Sequence, residues 1–235
     1  MEPRPSSERG VLRHEPTVFG RSVRGAPLEV FEPARAFTDL LVVAGVHGEE
    51  GESVTVLSAA LRSLPDGALA CPVVLALNPD GLARGTRGNA RGVDLNRNLP
   101  TSTWRPDPVC YRWTLEDERD VALSPGDAPG SEPETQAFLS LLERLRPAVV
   151  LSLHAPLACV DDPADTRLGR WLAEQAGLPH VAGVGYPTPG SFGTWGAEHD
   201  VVVVTYELPR TSTEELVRRH APLLRAVLAG ETPTR

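Results

Sequence analysis

The chain has 235 residues, 41% hydrophobic and 23% charged, which is enough apolar material for one core of ordinary size. A net charge of −8 and a pI near 5.3 argue against nucleic acid or an anionic membrane as a partner. No apolar run approaches the ~18 residues of a membrane span, and MEPRPSSERG lacks the apolar stretch of a secretory signal, so a cytoplasmic protein is expected.

Every basic residue is arginine, a bias that fits the abundance of Ala, Gly and Pro better than it fits a function. Cys71, Cys110 and Cys159 form no CxxC, and any disulfide leaves one of them over. Reduced thiols are the expectation, with a Cys110–Cys159 bridge left open by sequence.

Residues 1–16 read as a polar tail and 17–235 as one catalytic-sized domain. Val18 to Phe31, broken by Gly20, Gly25 and Pro27, predicts two short strands joined by a turn. Leu40–Val46 predicts a buried strand, followed by a helix from about Glu50 to Leu64 that Pro65-Asp66-Gly67 ends. Pro72–Leu77 is a second apolar strand. Asn78–Pro100 is Gly-, Arg- and Asn-rich without a period, and Thr101–Ser131 is read as irregular. Loops of that length in a compact domain are usually functional or disordered.

Glu132–Arg146 predicts a helix, Pro147–Leu153 a strand ending at His154, and Asp165–Gly177 another helix. A short strand at Val181–Val184 and a Gly/Pro loop over Tyr186–Ala197 follow. Val201–Tyr206 is a β-branched strand ending at Glu207, and Thr213–Leu228 is a closing helix with a break or bend at Pro222. Alternating strands and helices without repeats predict an α/β fold, a largely parallel sheet with helices on both faces. Strand order does not follow from the pattern.

His47, His154 and Glu207 each stand directly after an apolar strand, where open α/β sheets collect ligands. His47 and Glu50 form a His-x-x-Glu pair at a strand-to-helix junction, a spacing that lets an imidazole and a carboxylate converge on one Zn²⁺. Alone the pair is weak, since it arises by chance at solvated helix starts. His154 is the candidate third ligand, although a lone histidine after a strand is more often structural. His14, His180, His199 and His220 lie in tail, loop or helix contexts and are expected to be structural or solvated. Glu207 is either a surface glutamate or a general base beside a metal. The Arg/Asn segment offers groups that bind carboxylates and stabilise an oxyanion, or else a loop held by its own hydrogen bonds.

Taken in order, His47-x-x-Glu50, Arg87-Gly-Asn89-x-x-Gly92-Val-Asp94-Leu-Asn96-Arg97-Asn98, Ser-Leu-His154 and Tyr-Glu207-Leu resemble the zinc carboxypeptidase (funnelin) superfamily across residues 40–208. SLHAPLACVDDP and GYPTPGSFGTW are similar to its bacterial murein peptide amidase branch, whose members cut the γ-D-glutamyl–meso-diaminopimelate bond of cell-wall peptides during recycling.

The resemblance implies His47, Glu50 and His154 as ligands of one Zn²⁺, with Asp94 accepting from the His47 ring. It implies Arg87 at the scissile carbonyl, Asn96 and Arg97 on the leaving residue's free carboxylate, Glu207 as base and acid, and Tyr186 as a substrate cap. Arg84 competes with Arg87, but only Arg87 keeps the Arg-x-Asn spacing. The implied partner is a small peptide substrate; a homodimer stays open. The chain is shorter than the digestive enzymes and lacks their propeptide. Two alternatives are an N-acyl amino acid deacylase of the succinylglutamate desuccinylase or aspartoacylase type, and a non-catalytic binder of murein peptides. A P-loop, a strand-to-helix GxGxxG and CxxC are all missing from the sequence.

Overall fold

A computed structural model describes residues 11–34, 39–113 and 119–233, so the first ten residues of the expected tail lie outside the described part. The elements run in order β1 (Pro16–Arg21), β2 (Pro27–Phe31), β3 (Leu40–Val43), α1 (Gly51–Ser63), β4 (Val73–Val74) and α2 (Pro79–Leu82). A 3-10 turn at Leu95–Arg97, β5 (Val109–Trp113), β6 (Arg119–Leu123), α3 (Pro133–Leu145) and β7 (Val149–His154) follow. The remainder is β8 (Leu157–Asp161), α4 (Arg167–Ala176), β9 (His180–Val181), α5 (Phe192–Glu198), β10 (Val202–Pro209) and α6 (Thr213–Leu228).

Eight strands form one mixed sheet in the order β1-β2-β4-β3-β7-β10-β8-β9, with β5 and β6 paired separately. Neighbours from β4 through β3 and β7 to β10 are parallel, as are β8 and β9. The β1–β2, β2–β4 and β10–β8 pairs are antiparallel. The expected α/β architecture, with its largely parallel sheet, is the one observed.

Successive strand residues point to opposite faces, and each face has its own core. Leu40, Val42, Leu151, Leu153, Val204 and Tyr206 pack with residues of α1, α4 and α6. Leu41, Val43 and Val150 pack with Phe138 and Leu141 of α3 and Phe192 and Trp195 of α5. By the same alternation Ser152, His154 and Glu207 belong to the second face, where the layer ends at the carboxyl edge of the parallel strands.

Helix ends follow local chemistry. Ser212 and Thr166 accept from Glu215 and Gly169 N–H groups as N-caps of α6 and α4, and Gly177 ends α4 at φ 65°. α6 runs through Pro222 as one continuous stretch, so of the expected break or bend the break does not occur. Its apolar face packs against α1 and keeps the helix continuous despite one missing backbone donor.

Several predicted stretches differ, among them the Val181–Val184 strand, which is the two-residue β9 at His180–Val181. The Pro72–Leu77 strand is reduced to Val73–Val74, because β4 meets β2 through a single residue pair and then turns toward Asn78. The irregular 101–131 segment contains the β5–β6 ribbon, which lies outside the main sheet and whose strand β6 only half-buries Val121 and Leu123. The Tyr186–Ala197 loop contains α5, whose two internal glycines weaken the helical pattern. β8 was hidden in the stretch after His154. The cysteines are free: Cys71 and Cys159 are buried and Cys110 is exposed, so no Cys110–Cys159 bridge forms. Burial pushes the Cys71 thiol up to about 12, which suits an inert core thiol.

Candidate metal centre and active site

β3 delivers the chain to a tight turn. Gly45 takes φ 64°, and Gly48 lies so close to Gly81 that a Cβ there would collide with the Gly81 backbone. This contact seats His47 and Glu50 against the Asn78–Gly92 segment. Glu50 is the N-cap of α1, yet its carboxylate makes no capping bond. It turns instead into the site, 2.7 Å from His47 Nδ1 and 3.0 Å from His154 Nδ1.

His47, Glu50 and His154 are all buried, and their candidate ligand atoms lie within 4.8 Å of one another. The far nitrogens of both rings are occupied: His47 Nε2 meets Asp94 Oδ1 at 3.2 Å, and His154 Nε2 meets Ser152 Oγ at 2.9 Å. A proton on each far nitrogen leaves both Nδ1 atoms with lone pairs, 3.3 Å apart and facing a carboxylate. That donor set is complete only with a cation in its midst, and two imidazoles with one carboxylate suit Zn²⁺. The residues therefore fit the metal.

Electrostatics point the same way. Burial and Arg87 pull the His47 pKa down, but Glu50 and Asp94 outweigh them and raise it to about 9. Burial works to raise Glu50 and Asp94, yet His47 with His154 and Arg87 with His47, respectively, hold them well below the carboxylate range. The centre is built to hold positive charge.

Asp94 is fully buried and caps the 3-10 turn through Asn96 N–H, while its Oδ2 accepts from Arg87 Nε at 3.0 Å. Arg87 Nη1 lies 3.4 Å from Glu50 and 3.5 Å from Glu49. Its guanidinium carbon stands 5.0 Å from the centre of the Tyr111 ring, and the Tyr111 hydroxyl donates to Glu49 at 2.6 Å. Tyr111 and Glu49 were not singled out from sequence, and no local signal marks them.

Arg97 is buried at 5% exposure and donates from Nη1 to the Asn96 carbonyl, while its Nε has no partner and it makes no ion pair among the described residues. Burial lowers its pKa. Asn96 Oδ1 accepts from the Phe192 N–H at 2.8 Å, which ties the start of α5 to this pair. Tyr186 is 55% exposed on the preceding loop, within electrostatic reach of Arg97.

Glu207 stands opposite His154 in the β10–β7 register and opposite Cys159 in the β10–β8 register. It is 7% exposed, and its Oε2 accepts from Leu157 N–H at 3.3 Å. Burial raises its pKa, against the pull of His154.

Other polar residues of the segment hold structure. Asn89 spans Glu132 and Glu134, Asn98 binds Pro125, Ala128 and Ser131, and Arg84 donates to the Asp80 carbonyl. The remaining histidines lie elsewhere: His220 meets the Tyr206 hydroxyl, His180 meets Asp162, and His199 stacks on Trp195.

The zinc carboxypeptidase family model matches residues 14–160. Murein peptide amidase A of Escherichia coli K12 is 48% identical over 92% of this chain and 90% of its own. The crystal structure of a murein-tripeptide amidase from Escherichia coli O157 superposes with a TM-score of 0.91 at 45% identity, covering 96% of both chains. Bovine thrombin-activatable fibrinolysis inhibitor, at 19% identity and a TM-score of 0.71 over 93% of this chain and 90% of its own, shares the fold. The chain belongs to the zinc carboxypeptidase family, and is a hydrolase of peptide or amide bonds.

Proposed function

We propose that this hydrolase cleaves the amide bond to a C-terminal amino acid with a free carboxylate, and that its substrate is the γ-D-glutamyl–meso-diaminopimelate bond of murein peptides. The observation that carries the clamp is Arg97: a buried guanidinium with an unpartnered Nε, set beside the metal centre. An unmet buried charge costs stability that a substrate carboxylate offsets. The similarity to murein peptide amidases supports the identity of the bond.

In this reading His47, Glu50 and His154 hold one Zn²⁺ per chain, Asp94 fixes the His47 tautomer, and Ser152 does the same for His154. When bound, Zn²⁺ polarises the scissile carbonyl and acidifies water. Glu207 takes the water proton and delivers it to the leaving nitrogen. Arg87 donates to the carbonyl oxygen as negative charge develops there. Arg97 and the Asn96 amide grip the leaving residue's carboxylate, which fixes the bond that meets the water. Tyr186 caps the bound peptide.

Among the described residues no helix is long and apolar enough to cross a membrane. A cytoplasmic recycling role, residues 17–235 as the catalytic unit and assembly as a homodimer complete the proposal. Comparing hydrolysis of the γ-D-glutamyl-diaminopimelate tripeptide with that of N-succinylglutamate tests it. Preference for the tripeptide supports the amidase, and preference for the acyl amino acid replaces it with a deacylase.

A further inference from the structure

The leaving-residue side of the site has a floor with an unanswered charge. β8 lies antiparallel to β10, with Cys159 opposite Glu207 and Asp161 opposite Thr205. Residues opposite each other in such a pair share a face. Asp161 therefore shares Glu207's face, about 7 Å further along the strand at ~3.4 Å per residue. The Cys159 thiol feels both carboxylates: burial, then Glu207, then Asp161 raise it to about 11.

Asp161 is half-buried, and its Oδ1 is shut away from solvent without a hydrogen-bond partner. It makes no ion pair or side-chain hydrogen bond among the described residues, whereas nearly every other buried carboxylate of the site is bonded at least once. Burial and then Asp162 raise its pKa, and no cation figures among the influences on it. Asp162, one residue on, points the other way and accepts from Thr166 N–H and Oγ1 and from His180. That contrast separates a structural aspartate from one whose partner is missing.

The surroundings place Asp161 where a leaving residue must lie. Val181 pairs with it, and from there the chain runs through the Tyr186 loop to α5, which returns to pack on β10 at Val203. The α5 start is bonded to Asn96, next to Arg97. An amino acid held by its carboxylate at Arg97, with its nitrogen near Glu207, has the Thr205–Asp161 floor available to its side chain.

We propose that Asp161 is a specificity residue that receives a cationic group at the far end of the leaving residue's side chain. Resting on the amidase reading above, this makes the second ammonium group of diaminopimelate the feature recognised. An apolar or anionic side-chain end leaves the carboxylate unanswered and is selected against.

The test pairs two peptides, γ-D-glutamyl-meso-diaminopimelate and its analogue ending in 2-aminopimelate, which lacks only the distal amino group. Hydrolysis by zinc-loaded wild type and Asp161→Asn is measured, together with calorimetric binding of the two free amino acids. Wild type should favour the diamino compound about 10- to 100-fold in both readouts, the range of one charge-assisted hydrogen bond. Asp161→Asn should erase that preference while leaving the 2-aminopimelate values within about threefold of wild type. An unchanged preference in the variant, equal loss of both compounds, or no preference in wild type overturns the assignment. Asp161-dependent binding preference without hydrolysis of either peptide keeps the pocket and rejects the amidase reading. Hydrolysis without preference does the reverse.

Discussion

Tyr111 covers Arg87: its ring centre lies 5.0 Å from the guanidinium carbon, and its hydroxyl is fastened to Glu49 at 2.6 Å. The ribbon that carries Tyr111 is not part of the main sheet, so its contribution here is to hold one arginine beside Glu50 and Asp94. A partly desolvated cation–π contact contributes about 0.5–2 kcal/mol. Tyr111→Ala is expected to lower kcat by about three- to thirtyfold, with Tyr111→Phe closer to wild type. Steady-state kinetics decide, and an unaltered kcat in Tyr111→Ala would mean that Arg87 is positioned without it.

Glu207→Gln keeps the shape of the side chain and removes the base. Metal content should stay at the wild-type level while kcat falls by about 10²–10⁴. Both are read on one preparation, by elemental analysis and by product release. Surviving turnover assigns the proton transfer elsewhere.

Ser152 and His154 separate holding the metal from orienting its ligand. His154→Ala should lose bound zinc, since it removes one of the three donors. Ser152→Ala removes only the 2.9 Å contact to the far nitrogen and should weaken zinc affinity about 10- to 100-fold. Competition against a chelator measures both, and equal affinity in Ser152→Ala would show that the ring is held by packing alone.

Arg97→Ala should cost on the order of a hundredfold in kcat/KM for peptides with a free terminal carboxylate, mostly through KM. C-terminally amidated peptides, poor for wild type, should be nearly unaffected. Equal use of amidated and free peptides by wild type removes the clamp.

His220 gives a pH prediction apart from the catalytic centre. Burial and Arg219 lower its pKa from 6.5 to about 4, so the folded protein disfavours its charged form. The unfolded chain takes up a proton as pH falls below about 6.5, whereas the folded chain does not until about 4. Stability is thus lost between those values as pH falls, and levels off in this contribution below about 4. His220→Gln should flatten that slope in urea titrations across the window; an identical slope would mean that other groups set it.

The legible parts of this protein were those where one residue's neighbours in sequence are also its neighbours in space. His47 and Glu50 share one turn, and Asp94, Asn96 and Arg97 share another, so their spacing carries their geometry. His154 and Glu207 were visible because each ends a buried strand with a strong apolar run. Ser152 stands two residues before His154 on the same face of β7, so its contact is local, whereas Tyr111 reaches Glu49 and Arg87 across a separation that no short spacing encodes. The β5–β6 ribbon was missed because the face that carries Val109, Tyr111, Val121 and Leu123 is only half-buried and its strands stand in a stretch broken by several prolines. α5 was missed because Gly193 and Gly196 dilute its pattern, although Ser191 bonding Thr194 N–H is a capping signal present in the sequence. Gly196 is there for packing: a Cβ would meet the Val201 carbonyl and Val203.

A zinc centre that cuts one particular amide bond has to show both its metal and its product. Purified protein should be assayed for metal and given L-Ala-γ-D-Glu-meso-diaminopimelate in the same experiment. One zinc per chain with release of free diaminopimelate is the predicted result. Failure to take up zinc when it is supplied, or zinc-loaded protein that leaves the tripeptide intact, would contradict it.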